Sequence, residues 1–158
     1  MERVLGKSLP PEGAFGESWE ISAHPLHISR VAEGPLRGTL LADLWQQHAG
    51  EILGREPTPP TRFPLLIKFL DCHDLLSVQV HPDDRAAREL LGDESGKTEA
   101  WVVLDTEPAG RIYAGLTPGV TQAVLERHLD AGTVADCLHC FAPCPGDCVF
   151  LAAGTVHA

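Results

Sequence analysis

Alternation of apolar and polar residues predicts short β-strands in this chain. A period of two residues runs through 75–81 and again through 97–104, so that successive side chains point to opposite faces. The apolar run 65–70, interrupted only by Lys68, predicts a buried strand. Two further short strands are predicted, at 111–114 and at 147–151.

Apolar residues at helical spacing predict a few short helices between these strands. The predicted helices cover 40–50, 84–91 and 121–129, and a further helical turn covers 134–139. The 13 prolines and 15 glycines separate short elements, which favours a β-rich domain with many loops. We therefore predict a mainly β fold with a few short helices.

Length, composition and charge restrict the class of protein. A chain of 158 residues with 44% hydrophobic residues suits one globular domain, here predicted over 1–158. The net charge of −10 argues against a nucleic-acid partner, because phosphate backbones attract basic surfaces. No apolar run approaches the roughly 18 residues that cross a membrane, and the first residues lack the apolar stretch of a signal peptide. These features predict a cytoplasmic protein without a membrane partner.

The five cysteines admit two interpretations. Cys137 and Cys140 have the spacing of a zinc knuckle, and Cys144 and Cys148 follow closely. The second interpretation treats them as small apolar residues of a reduced protein. A zinc knuckle requires a second close pair, which Cys144 and Cys148 do not form, so the second interpretation is favoured.

The polar face of the predicted strand 75–81 carries candidate metal ligands. Gln79 and His81 project to the same side, about 6.6 Å apart at the usual rise of a strand. Glu99 lies on the polar face of another predicted strand, and His157 is the last candidate. Two imidazoles, a carboxylate and an amide oxygen make a zinc site, with water or substrate completing the coordination. Residue types alone leave this open, because nothing in them connects Glu99 or His157 to His81.

Several longer motifs resemble the signature series of one enzyme family. These motifs are Gly16-Glu17-Ser18-Trp19-Glu20, Phe63 to Asp71, Ser77-Val78-Gln79-Val80-His81-Pro82, Gly96-Lys97-Thr98-Glu99, Tyr113 to Leu116 and Gly154-Thr155-Val156-His157-Ala158. They occur in family order over nearly the whole chain. On these residues the chain resembles the type I mannose-6-phosphate isomerases.

The resemblance implies a fold and a set of zinc ligands. The family is built on cupin β-barrels of the jelly-roll type, so this chain is expected to be such a barrel, incomplete at both ends, and the N-terminal core of a longer enzyme. One zinc ion per chain is expected on Gln79, His81, Glu99 and His157. The resemblance also associates Lys97 with the active site. There it is the candidate catalytic residue, for proton handling or charge stabilisation, with phosphate binding as the alternative. Lys97 shares a strand face with Glu99, so that it can reach the same cavity.

Four further residues are candidates for substrate binding. Ser77 lies on the predicted ligand face, although a small polar strand residue needs no such role. Lys68 interrupts an apolar strand, where a phosphate or a carboxylate partner would offset the cost of an unpaired charge. By family analogy Trp19 and Glu20 line the sugar pocket. A core tryptophan beside a surface glutamate is the competing interpretation.

The implied activity is the interconversion of mannose 6-phosphate and fructose 6-phosphate through an enediol or enediolate, with a phosphorylated hexose as substrate. Three alternatives stay open. The first is a non-catalytic cupin that binds zinc or a sugar phosphate. The second is another cupin enzyme, such as a dioxygenase or a cupin-type glucose-6-phosphate isomerase, which Gln79 at the first ligand position disfavours. The third is an interaction module built on the zinc knuckle.

Overall fold

The structure is a computed structural model of the chain, described for residues 1–54, 60–92 and 95–158. The chain divides into two compact units, Met1–His73 and Asp74–Ala158. Each unit contains its own paired strands and helices. A single cupin-type domain over the whole chain stays a prediction.

The first unit is built on an antiparallel strand pair and a longer helix. Strand β1 pairs with β4, and a short hairpin joins β2 to β3. The predicted helix at 40–50 is confirmed as α2, and it ends at Gly54, whose φ of 73° suits a residue without a side chain. The elements in chain order are α1 (Glu2–Leu5), β1 (Glu17–Ile21), β2 (Ala23–His24), β3 (His27–Ile28), α2 (Leu41–Leu53) and β4 (Ile67–Leu70).

Trp45 anchors α2 in the first unit. Its ring is buried and packs edge-on against Phe63, with 5.3 Å between ring centroids. Its indole N–H donates to the Pro60 carbonyl oxygen at 2.9 Å. A buried indole needs such a partner, so this contact fixes how the helix faces the segment that leads to β4.

We expect Trp45→Phe to lower the free energy of unfolding by about 1–2 kcal/mol, because it removes the indole hydrogen bond and leaves a small cavity. The aromatic contact with Phe63 is kept. Urea denaturation checks this: the transition midpoint should fall to a lower urea concentration, whereas the slope of the transition should stay unchanged. An unchanged midpoint would mean that the contact with Pro60 contributes nothing to stability.

The second unit contains two antiparallel strand pairs. Strand β5 pairs with β8, so that Glu99 lies opposite Leu151 and Trp101 opposite Val149. Strand β6 pairs with β7. The elements are α3 (Asp84–Leu91), β5 (Glu99–Val102), β6 (Ile112–Leu116), α4 (Gln122–Asp130), a 3-10 turn (Val134–Cys137), β7 (Leu138–Phe141) and β8 (Cys148–Leu151).

Side-chain caps determine where the helices of the second unit begin. The Asp83 carboxylate accepts a hydrogen bond from the Ala86 amide at 2.8 Å, and Thr121 Oγ1 accepts one from the Val124 amide at 3.4 Å. Each cap satisfies an amide that the first helical turn leaves without a partner. Helices α3 and α4 therefore begin close to where the sequence predicts them.

Two predicted strands differ from the structure. Residues 75–81 form one isolated bridge, at Gln79, instead of a continuous strand. The run 65–70 is a strand only from Ile67, and it is not buried, since Leu65 is 58% and Ile67 46% exposed. Within the described residues β4 pairs with β1 alone, so the first unit does not enclose it in a wider sheet.

Short helices and short strands are confirmed as the elements of the fold, and the strands pair in antiparallel fashion. Helices and strands occupy similar shares of the described residues, although the sequence predicts a mainly β chain. Over these residues the strands form two-stranded sheets and no closed barrel, so barrel closure stays a prediction. The helices in the described part of the chain are all too short or too polar to cross a membrane.

Candidate metal centre

Backbone pairing on both sides fixes His157. Its N–H donates to the Gln79 carbonyl oxygen at 2.9 Å, and its carbonyl oxygen accepts from the Gln79 N–H at 2.8 Å. On the other side it bridges to Ala114, and Tyr113 and Ala158 exchange a pair of backbone hydrogen bonds. This pairing brings His157 next to the segment that carries Gln79 and His81.

Three of the four predicted zinc ligands converge in the second unit. Glu99 Oε2 lies 3.1 Å from His157 Nε2 and 3.4 Å from His81 Nε2. One potential ligand atom from each residue lies within 4.8 Å of the other two. His157 is 3% exposed, and the other two side chains are partly buried. Such a compact set of nitrogen and oxygen donors suits a divalent transition metal.

The tautomer of His157 favours a cation between these groups. His157 Nδ1 lies 2.8 Å from the Thr155 carbonyl oxygen, which can only accept, so Nδ1 carries the proton. In the neutral imidazole Nε2 then presents a lone pair, and this buried atom has no hydrogen-bond partner among the described residues. It nevertheless faces a carboxylate oxygen of Glu99 at 3.1 Å. Two acceptors at this distance repel one another, and a bound cation removes the repulsion. The residues therefore fit a metal.

The electrostatics keep two of these groups in the form that binds metal. Burial lowers the pKa of His81, and the positive charge of Lys97 lowers it further. Burial alone would raise the pKa of Glu99, but the hydrogen bond and charge of Lys97, together with the histidines, hold it below the usual range. A neutral imidazole and an ionised carboxylate are the forms that bind a metal.

Gln79 and Ser77 lie beside the cluster. Gln79 is directly opposite His157 in an antiparallel bridge, and residues paired in this way project to the same face. Its amide nitrogen donates to Ser77 Oγ at 3.0 Å, which leaves the amide oxygen as a fourth candidate ligand. Both side chains are exposed, so Ser77 can also meet a ligand from solvent. Their roles as metal ligand and substrate contact stay predictions.

Lys97 contacts two members of the cluster. Its ammonium lies 2.6 Å from Glu99 Oε1 and 3.1 Å from His81 Nε2. It therefore bonds the carboxylate oxygen that does not face the histidines. The side chain is 40% exposed, so part of it is accessible to solvent. This position agrees with the predicted placement on the face of Glu99.

Trp101 is a site neighbour to which the sequence assigns no role. Its ring lies edge-on to the His157 ring, with 5.5 Å between the ring centroids. The ring centroids of His81 and His157 are 5.1 Å apart. Trp101 follows Glu99 by two residues in β5, so strand periodicity places both on one face. This spacing is the sequence signal that could have found it.

The remaining predicted substrate contacts lie in the first unit and have partners there. Lys68 Nζ bonds Glu17 Oε2 at 2.9 Å, which is the carboxylate partner that its place in an apolar strand requires. Trp19 packs edge-on against His24, with 5.5 Å between centroids. Glu20 accepts from Lys7 at 2.7 Å and from Ser18 at 2.6 Å, and these bonds lower its pKa. Substrate binding by Lys68, Trp19 and Glu20 stays a prediction.

The cysteines do not join a metal cluster in the described part of the chain. Cys137 is buried at the end of the 3-10 turn, whereas Cys140 is exposed in β7. Cys148 lies in β8, opposite Val102. Burial of Cys137 fits the interpretation as a small apolar residue, whereas Cys140, Cys144 and Cys148 are exposed and that interpretation stays a prediction for them.

A His–Glu–His cluster, with Glu99 in β5 and His157 in two backbone bridges, defines the chain as a candidate metal-binding protein. The family model described as "Phosphomannose isomerase type I, catalytic domain" matches residues 1–115. The chain belongs to the type I phosphomannose isomerase family. The matched residues include Gln79, His81, Lys97 and Glu99, whereas His157 lies beyond them.

Individual relatives agree with this family. The Bacillus subtilis protein YvyI is 39% identical over 154 residues, which are 98% of this chain and 47% of the relative. The mannose-6-phosphate isomerase of Streptococcus mutans is 37% identical over 161 residues, 100% of this chain and 48% of the relative. The crystal structure of the mannose 6-phosphate isomerase from Bacillus subtilis superposes with a TM-score of 0.87 at 37% identity, covering 99% of this chain and 48% of that one. The chain spans about half the length of these relatives.

Proposed function

We propose that the chain forms the metal-binding part of a zinc-dependent isomerase that interconverts mannose 6-phosphate and fructose 6-phosphate. The observation that carries this proposal is the His81–Glu99–His157 cluster with Lys97 bonded to its carboxylate. Membership of the type I family supplies the substrate class, a phosphorylated hexose. Paired strands around the cluster are compatible with a cupin barrel, which we propose as the complete fold.

The proposed ligand set is His81, Glu99 and His157, with the amide oxygen of Gln79 as the fourth ligand. A zinc ion held there would act as a Lewis acid toward the sugar oxygens and stabilise negative charge on them. One carboxylate among neutral ligands leaves such a site with net positive charge. This charge suits a reaction that passes through an enediolate.

Isomerisation of an aldose to a ketose moves a proton from C2 to C1 and another from the C2 oxygen to the C1 oxygen. No external oxidant or reductant is required. The Lys97 ammonium can donate a hydrogen bond to an oxygen that becomes negative during this transfer. We propose Lys97 as the residue that stabilises this charge and exchanges protons with the sugar oxygens. Ser77 is proposed to contact the substrate beside Gln79.

The test is turnover of mannose 6-phosphate by the chain with zinc added, and then after removal of metal by a chelator. We expect fructose 6-phosphate to form with zinc, to stop forming with the chelator and to recover when zinc returns. We also expect Lys97→Met, which keeps a similar length without the charge, to lower kcat at least about 100-fold, as loss of one stabilising donor typically does.

A matched control separates this role from a loss of surface charge. Arg85 is exposed on α3 and pairs with Glu89, so Arg85→Met removes one positive charge away from the cluster and should leave turnover unchanged. Stoichiometric zinc binding without turnover would contradict catalysis by this chain itself and leave it as a metal-binding part. It would leave the alternative of a non-catalytic protein that binds zinc or a sugar phosphate.

A further inference from the structure

Two consecutive amides before β5 are bonded to the segment that leads into α3. The Gly96 N–H donates to Asp84 Oδ1 at 2.9 Å, and the Lys97 N–H donates to the Pro82 carbonyl oxygen at 3.0 Å. Pro82 directly follows His81, one of the cluster residues. The backbone of Lys97 is therefore fixed against the chain segment that also carries His81.

Gly96 allows the two segments to lie in direct backbone contact. A Cβ at position 96 would lie 2.4 Å from the Asp83 carbonyl carbon and 2.4 Å from the Asp84 nitrogen. Gly96 is not among the glycines with positive φ. Glycine is therefore required at this position by the close approach of the two segments, and not by an unusual backbone conformation. The contact leaves no room for a side chain between the two segments.

The neighbouring carboxylates of Asp83 and Asp84 have separate partners. Asp83 Oδ1 accepts from Ala86 and caps α3, whereas Asp84 Oδ1 reaches across to Gly96. The role of the Asp84 carboxylate is therefore not to cap the helix. Its hydrogen bond spans 12 positions of the chain.

We propose that Asp84 is a positioning residue for Lys97. By holding Gly96, Asp84 fixes the Cα of Lys97, so that the flexible side chain places its ammonium 2.6 Å from Glu99 Oε1. A lysine stem has many rotamers, and anchoring its backbone reduces the positions that its charge can occupy. The effect of Asp84 on turnover rests on the proposed function, whereas its effect on the backbone does not.

The experiment measures amide hydrogen exchange by NMR in the metal-free chain. In Asp84→Ala we expect the Gly96 and Lys97 amides to exchange at least about tenfold faster, because local opening exposes both. In Asp84→Asn the side-chain oxygen still accepts, so exchange should stay within about twofold of wild type. The matched control, Asp83→Ala, should speed exchange of the Ala86 amide and leave that of Gly96 unchanged.

Turnover with zinc gives the second arm of the experiment. We expect Asp84→Ala to lower kcat about tenfold with little change in KM, and Asp84→Asn to restore it, since misplacement of a catalytic group acts mainly on kcat. Unchanged exchange at Gly96 and Lys97 in Asp84→Ala would overturn the proposal, as would equal losses in both variants. A wild-type chain without turnover would contradict catalysis by this chain itself, and the exchange data would then decide the role of Asp84 by themselves.

Discussion

Glu99→Ala is expected to raise the dissociation constant for zinc at least about 100-fold. Substituting a residue that only supports a metal ligand already weakens metal binding by up to about 100-fold, and Glu99 is itself a proposed ligand. The reason is the position of the carboxylate, with Oε2 3.1 Å from His157 Nε2 and 3.4 Å from His81 Nε2. Glu99→Gln should behave similarly, because it keeps the shape and removes the charge. Competition against a chromophoric zinc chelator measures the constant. A thermal melt gives a second readout, because zinc should raise Tm in wild type by mass action and not in the variants.

Two control variants make this result specific. Glu89 is an exposed carboxylate on α3, so Glu89→Gln removes the same charge away from the cluster and should leave zinc affinity unchanged. Cys140→Ser removes an exposed thiol that a zinc knuckle would require, and it should also leave affinity unchanged. Zinc binding that survives in Glu99→Ala and is lost in Cys140→Ser would reverse the assignment in favour of the knuckle.

Local periodicity predicts part of this site well. Alternation in 97–104 places Lys97, Glu99 and Trp101 on one face, and the structure brings Lys97 and Trp101 into contact with the cluster around Glu99. The helices at 40–50, 84–91 and 121–129 are also predicted, because caps and apolar spacing are local properties of the sequence. Features determined within a few residues of one another are the ones that a single sequence reveals.

Long-range pairing is the part that local patterns could not supply. His157 lies close to His81 and Glu99 because its backbone pairs with that of Gln79, 78 positions away. The residue types in the sequence do not indicate that pairing. The motif resemblance, and not strand parity, links His157 to the other predicted ligands in the sequence. The predicted strand at 75–81 is wrong for a related reason. Alternation there predicts a full strand, whereas the structure forms one bridge, at Gln79. A strand requires a neighbour along its whole length, which alternation does not show.

The contact between Gly96 and the start of α3 could not be predicted from the sequence either. A glycine before a predicted strand is usually explained by a turn with positive φ, and Gly96 has no such φ. What identifies it is the distance of 2.4 Å between a hypothetical Cβ and two backbone atoms of Asp83 and Asp84. Since backbone atoms cannot rotate away as a side chain can, the position excludes even a methyl group.

Gly96→Ala is therefore expected to lower the free energy of unfolding by about 3 kcal/mol, at the upper end of the cost of adding a methyl group to a closely packed site. The added methyl group should also separate Gly96 from Asp84 and move Lys97 away from Glu99. Urea denaturation measures the stability, and amide exchange at Lys97 measures the local displacement. Both changes should appear in the metal-free chain, because neither depends on a bound ion.

Gly50→Ala is the matched control for this substitution. Gly50 lies inside α2, and a Cβ added there would meet nothing within 4 Å. Alanine loses less conformational entropy than glycine in a helix, so the same methyl group should raise stability by about 0.5–1 kcal/mol. Opposite signs for the two variants would show that the close approach at Gly96 determines the cost. A Gly96→Ala chain as stable as wild type would mean that the two segments separate freely, and the proposed positioning of Lys97 would then lack its structural basis.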